Sequence, residues 1–198
     1  MTTAATGVPA HDKALLSAFP EPPAEVRELL EVMETILRGD ADAITELGDV
    51  KGLCPPWLPS GCPPEIRQQV WLWCDDVAGW INRHYVWRPT AMIPACWPRH
   101  PHIAQELPVL TCLHFDALNS TSPVLLEDWH RQTLPQFLER LASRLGESTC
   151  RTGTHDSWPA AARYKTFTGP TAVQERHELF HTDAHPPTPL RGAHRVRA

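Results

Sequence analysis

A chain of 198 residues, 42 % of them apolar, is long enough for one domain with its own core, so its folding need not rest on disulfides. The formal net charge of −5 argues against a large phosphate-binding footprint, and no apolar run approaches the roughly 20 residues of a membrane span. Charge is uneven: residues 1–50 hold ten acids against three bases, and residues 160–198 hold six bases against three acids.

Residues 1–23 are small, polar and interrupted by proline, which predicts a disordered N-terminal segment. Residues 24–50 follow as an acidic, amphipathic helical segment. Val26, Leu29, Leu30, Met33, Ile36 and Leu37 recur at intervals of three and four, after Pro22 and Pro23 and before Gly39. Residues 51–63 read as a linker: "GLCPPWLPSGCPP" contains five prolines and two glycines. Cys54 and Cys62 lie there, separated by seven residues, which is not the spacing of a zinc knuckle; they are expected to be incidental thiols.

A core domain is predicted over residues 64–158. Its first helix, "PEIRQQVWLWCDDVAGWINRHYVW", carries one apolar stripe through Ile66, Val70, Trp73, Cys74, Val77 and Ile81. A second helix should begin at Pro101 and kink at Pro108. A third should begin at Pro123, with Ser122 as its cap, bend at Pro135 and close at Gly146. Strand patterns are poor throughout. The expected fold is all-α: a small helical bundle with a Pro-rich linker and disordered N- and C-terminal tails, residues 159–198 forming a flexible His- and Pro-rich tail.

"ACWPRHPH" sits just before the second of these helices and "CRTGTH" just after the third. Cys96 and His100 are four apart, and Cys150 and His155 are five apart. Two helices joined by a four-residue loop form an antiparallel hairpin, so both pairs fall at its open end. Two thiolates and two imidazoles complete the tetrahedral shell of a structural zinc. His102 and His130 are spare candidates. The competing reading makes the first stretch a stiff corner set by Pro98 and Pro101.

"VAGWINRHYVW", "IPACWPRHP", "EDWHRQTL" and "TCRTGTH" resemble a family of small actinobacterial proteins of unknown function, associated with plasmids, phages and integrative mobile elements. The resemblance covers about residues 71–155. The family pattern falls on Cys96, His100, Trp129, Cys150 and His155. The Thr and Pro that follow "WHRQ" depart from it and put the straightness of the last helix in question. What the resemblance implies is a mobile-element accessory role, without a reaction.

Three further patterns bear on function. "HELFH" matches H-E-x-x-H, in which His177 and His181 would bind zinc, Glu178 would serve as general base and His185 as a third ligand, giving a metalloprotease-like activity. Polar flanks and the nearby "PPTP" leave little chain for a substrate cleft. "EDWHR" offers Glu127, Asp128 and His130 for acid–base work, but neighbours on a helix point apart. The basic ending "RGAHRVRA" offers weak contact with an acidic surface, with a solvated tail as the simpler reading. The alternative function, a nucleic-acid-associated regulator, predicts DNA binding with steep salt dependence. No glycine-rich nucleotide motif occurs.

The reading that fits most of these features is a non-catalytic accessory or interaction protein, held by one structural zinc. Its expected partner is another protein, met through exposed Trp57, Trp87 and Trp97, and not a membrane or a nucleotide. Without a leader-like N-terminus, a cytoplasmic location is expected. There, cysteines are thiols or metal ligands.

Overall fold

In a computed structural model, residues 16–39, 41–47, 53–146, 148, 150 and 154–185 are described, and they form an all-α protein. The chain divides between His155 and Asp156 into two compact units. No described helix is long and apolar enough to cross a membrane.

The first unit is built around α3 (Pro64–His84) and α4 (Pro101–Asn119). Pro63 and Pro64 occupy the start of α3, where no backbone donor is missed. Val70, Trp73, Cys74, Val77, Ala78 and Ile81 form its buried face, the stripe that the spacing predicts. α4 buries Ile103, Leu107, Leu110 and Ala117 on the facing side. It runs through Pro108 without interruption; the proline is itself buried.

α5 (Val124–Asp128) and α6 (Leu134–Leu145) return along α4. Between them Trp129–Thr133 forms a single π turn. Its cause is Pro135: the ring cannot donate to the carbonyl four residues back and crowds it, so the turn widens. The expected bend is therefore a local widening. Trp129 fills the space beneath it and donates from Nε1 to the Leu110 carbonyl at 3.1 Å. Gly146, at φ +54°, ends α6.

α1 (Ala24–Arg38) begins after Pro23 and ends at Gly39, whose N–H donates to the Ile36 carbonyl at 3.1 Å and whose φ of +70° turns the chain out of the helix. α2 (Ala41–Leu47) follows. Both belong to the first unit.

Two expectations about irregular segments need correction. The stretch 16–23 was expected to be disordered, yet Phe19 is buried in the core, edge-on to Trp73 and Trp80. Trp73 Nε1 donates to the Pro20 carbonyl at 2.8 Å and Trp80 Nε1 to that of Ser17 at 3.1 Å, pinning the segment along α3. The rest of that expectation, residues 1–15, lies outside the described residues.

Nor do residues 53–63 behave as a free linker. The Arg67 guanidinium donates to the carbonyls of Pro59, Ser60 and Cys62, and Cys54, Pro56, Pro59 and Cys62 are buried. Prolines supply no backbone donors of their own, and one arginine fork meets three carbonyls of this segment.

The second unit contains α7 (Ala161–Phe167) and α8 (Pro170–Ala184). Much of the segment expected to be a flexible tail is thus helical. Arg176 explains part of this: its guanidinium lies 4.1 Å above the Phe167 ring and donates to the Phe167 carbonyl. Neither helix has a buried residue. The final basic stretch lies outside the described residues.

Candidate metal centre

After α3 the chain enters a corner that proline and α3 hold together. The Asn82 side chain exchanges two hydrogen bonds with the backbone of Ile93, donating to its carbonyl at 2.9 Å and accepting from its N–H at 2.8 Å. Trp97 Nε1 donates to Asp75 Oδ1 at 2.8 Å. Short 3₁₀ turns at Pro89–Ala91 and Trp97–Arg99 complete the bend. His100 then caps α4 with its backbone: its carbonyl accepts from the N–H groups of Ile103 and Ala104, leaving the imidazole uncommitted to capping.

The other half of the site follows α6. The Ser148 N–H donates to the Leu145 carbonyl, and Ser148 Oγ accepts from the Cys150 N–H at 3.1 Å. This turn directs Cys150, which is buried, toward the corner. The hairpin shaft beneath is clamped by Glu106 of α4, which meets Arg140 Nη2 at 2.8 Å and also pairs with Arg144 of α6. Burial pushes the Glu106 carboxyl up, but the two guanidiniums outweigh it and hold it below the ordinary carboxylate range.

Cys96, His100, Cys150 and His155 converge at the open end of this hairpin, and one ligand atom from each lies within 4.8 Å of all the others. Cys96 Sγ is 3.4 Å from His100 Nε2, and Cys150 Sγ is 3.7 Å from His155 Nδ1. A tetrahedral zinc with Zn–S near 2.3 Å and Zn–N near 2.05 Å puts its sulfur and nitrogen ligands about 3.6 Å apart. The two observed distances fall on either side of that value. The His100 and His155 rings stand edge-to-face, 5.1 Å between centroids. These four residues can hold a metal ion.

The local electrostatics suit a cation. Burial, with His155 and His102 nearby, pushes the His100 pKa down, so its imidazole is neutral and its lone pair available. Burial and the hydrogen-bonded Cys150 thiol push the Cys96 thiol up, because two thiolates side by side repel each other. A divalent ion between them removes that penalty. All six cysteines of the chain are outside disulfides.

The spare candidates have other surroundings. His102 packs edge-on to His100 with centroids 5.8 Å apart, and its Nε2 is buried without a hydrogen-bond partner among the described residues. His130 Nε2 lies 3.1 Å from the Tyr85 hydroxyl. Glu127 and Asp128 both turn to Arg131, at 3.6 and 3.2 Å, so the "EDWHR" carboxylates and histidine diverge.

On α8, His177, Glu178 and His181 are exposed on a helix without a buried face. Glu178 accepts from Gln174, and His181 stacks on His185. Among the described residues, the metal-capable group of three or more ligands is the Cys96 quartet.

The tryptophans expected to meet a partner separate as well. Trp87 is 96 % exposed and Trp57 39 %, but Trp97 is only 4 % exposed. Trp97 is corrected to a core residue: it packs on Trp71, 5.9 Å between centroids, and spends its N–H on Asp75. Sequence reading also missed the residues that carry the site, Asn82, Asp75 and Ser148. Single polar residues have no periodicity to betray such a role.

No family model, curated protein or solved structure matches this chain.

Proposed function

We propose that the chain is a non-catalytic helical scaffold, stapled by one structural zinc at Cys96, His100, Cys150 and His155, that serves as an accessory or interaction protein. The observation that carries this reading is the convergence, at the open end of a helical hairpin, of two sulfur and two nitrogen ligands from the segments that precede and follow it. A Cys₂His₂ donor set favours zinc among the common divalent ions, and a shell filled by four protein ligands leaves no open position for a substrate. A reducing cytoplasm is the compartment that keeps such thiols available. A mobile-element setting, which the sequence resemblance over residues 71–155 implies, is part of this proposal.

The test is metal analysis of untagged full-length protein. About one zinc per chain is expected, lost in Cys96→Ser and in Cys150→Ser and retained in His177→Ala. Protein that folds fully without metal, and gains no stability when zinc is added, would overturn the reading.

A further inference from the structure

α1 presents an apolar stripe that the first unit uses only in part. Val26, near its start, is fully buried, whereas Leu37, near its end, is 87 % exposed. Between the far half of α1 and α4 lies a groove of about 520 Å³, within the range of recognition clefts, about 300–1,000 Å³. One wall consists of Leu30, Met33, Glu34 and Leu37 with Ile36 beside them, and the other of Val109, Cys112, Leu113 and Asp116. Each wall is one helix face at spacings of three, four and seven, and Trp57 also lines the groove.

We propose that this groove docks an amphipathic helix of a partner protein that carries lysine or arginine beside its apolar stripe. Two ridges at helical spacing, one on each side of the groove, match a third helix, whose residues at i, i+3, i+4 and i+7 interlock with them. The charge specifies the flanks of that helix. Among the described residues, the charged side chains lining the groove are the carboxylates Glu34 and Asp116. Glu34 belongs to the acidic segment of the chain, residues 1–50, which holds ten acids against three bases, and Asp116 faces it from α4. Glu34 meets Arg38 in an exposed pair at 2.5 Å, of the kind that a partner's cation can replace at small cost. A second copy of this chain would bring the same carboxylates face to face, and an anionic membrane would meet them with its own charge, so both fit less well than a basic helix.

This inference rests on the interaction reading above but not on the metal. Its test uses the full chain and a fluorescein-labelled synthetic peptide of roughly 16 residues, leucine at helical spacing and lysine elsewhere. Fluorescence anisotropy should show saturable binding. A peptide of the same composition with the helical period scrambled, and one with glutamate replacing lysine, should each bind at least about tenfold more weakly. Leu37→Ala with Leu113→Ala should weaken binding by about tenfold or more. Both positions are exposed and alanine favours helix, so circular dichroism should be unchanged. Glu34→Gln with Asp116→Asn should weaken binding at low salt and flatten its salt dependence. Cys96→Ser should leave binding intact, which separates this proposal from the zinc reading.

The proposal is overturned if no peptide binds saturably, or if the scrambled peptide binds as well as the periodic one. Binding that survives the double alanine variant would also overturn it. So would a dimer in light scattering that Leu37→Ala dissolves, which would give the groove to a second copy.

Discussion

Two histidine-bearing regions of this chain carry spacings that suit a metal, and they differ in what stands behind them. Cys96 and His100 sit on a corner braced by Asn82 and Asp75 of α3, and Cys150 sits on a turn braced by Ser148. His177, Glu178 and His181 lie along one exposed helix. A pattern within one helix sets distances along that helix only. A closed metal shell needs ligands from at least two elements, each held by interactions the metal does not supply. The convergent set has that support, and α8 has no buried residue to provide it.

The largest effect that would break this contrast is loss of the metal from the first set. With free zinc at about a thousand times its Kd, linkage gives about 4 kcal/mol of stability to the first unit. Chelator should remove it, and Cys150→Ser should remove it whether or not chelator is present. Urea unfolding with and without zinc reads both outcomes.

A smaller effect concerns a histidine buried with no metal beside it. His114 packs against Phe19 and Trp129 with ring centroids 4.3 and 4.2 Å away, and its Nδ1 is buried without a hydrogen-bond partner among the described residues. Burial, with the nearby His130 charge, pushes its pKa down to about 4. The unfolded chain takes up this proton near pH 6.5, and the folded chain does so only near pH 4. Stability from this group is therefore complete above about pH 6.5, is lost as pH falls toward about 4, and levels off below; the span is on the order of 3 kcal/mol. His114→Phe should show a shallower loss of stability than the parent over that window, measured by urea unfolding in chelator so that zinc release does not contribute.

Trp129→Phe keeps most of the packing but removes the donor to the Leu110 carbonyl. The expected loss is about 1–2 kcal/mol in equilibrium unfolding. The smallest effect belongs to α8: His177→Ala with His181→Ala should change stability by less than about 0.5 kcal/mol and leave the zinc content unchanged. A loss of zinc in that variant would reverse the contrast between the two regions.

What the sequence made legible follows the same division. The stripe from Val70 to Ile81 could be read because a regular helix repeats its buried face. The quartet could be read because two spacings and one hairpin bound its geometry. Phe19, the Arg67 fork and the burial of Trp97 could not. Each depends on an irregular segment meeting a partner far along the chain, as Trp73 meets Pro20 across 53 positions. Irregular backbone carries no period, so its burial is decided by tertiary contacts that local pattern does not encode. Trp97 shows the consequence: expected among the exposed tryptophans, it donates to Asp75 and is part of the core.

The central claim is that one zinc is shared by the two ends of the hairpin, and X-ray absorption at the zinc edge of the loaded, untagged chain addresses it most directly. The account predicts two sulfur neighbours near 2.3 Å and two nitrogen neighbours near 2.0–2.1 Å. A shell of nitrogen and oxygen alone, or one with a single sulfur, would contradict it.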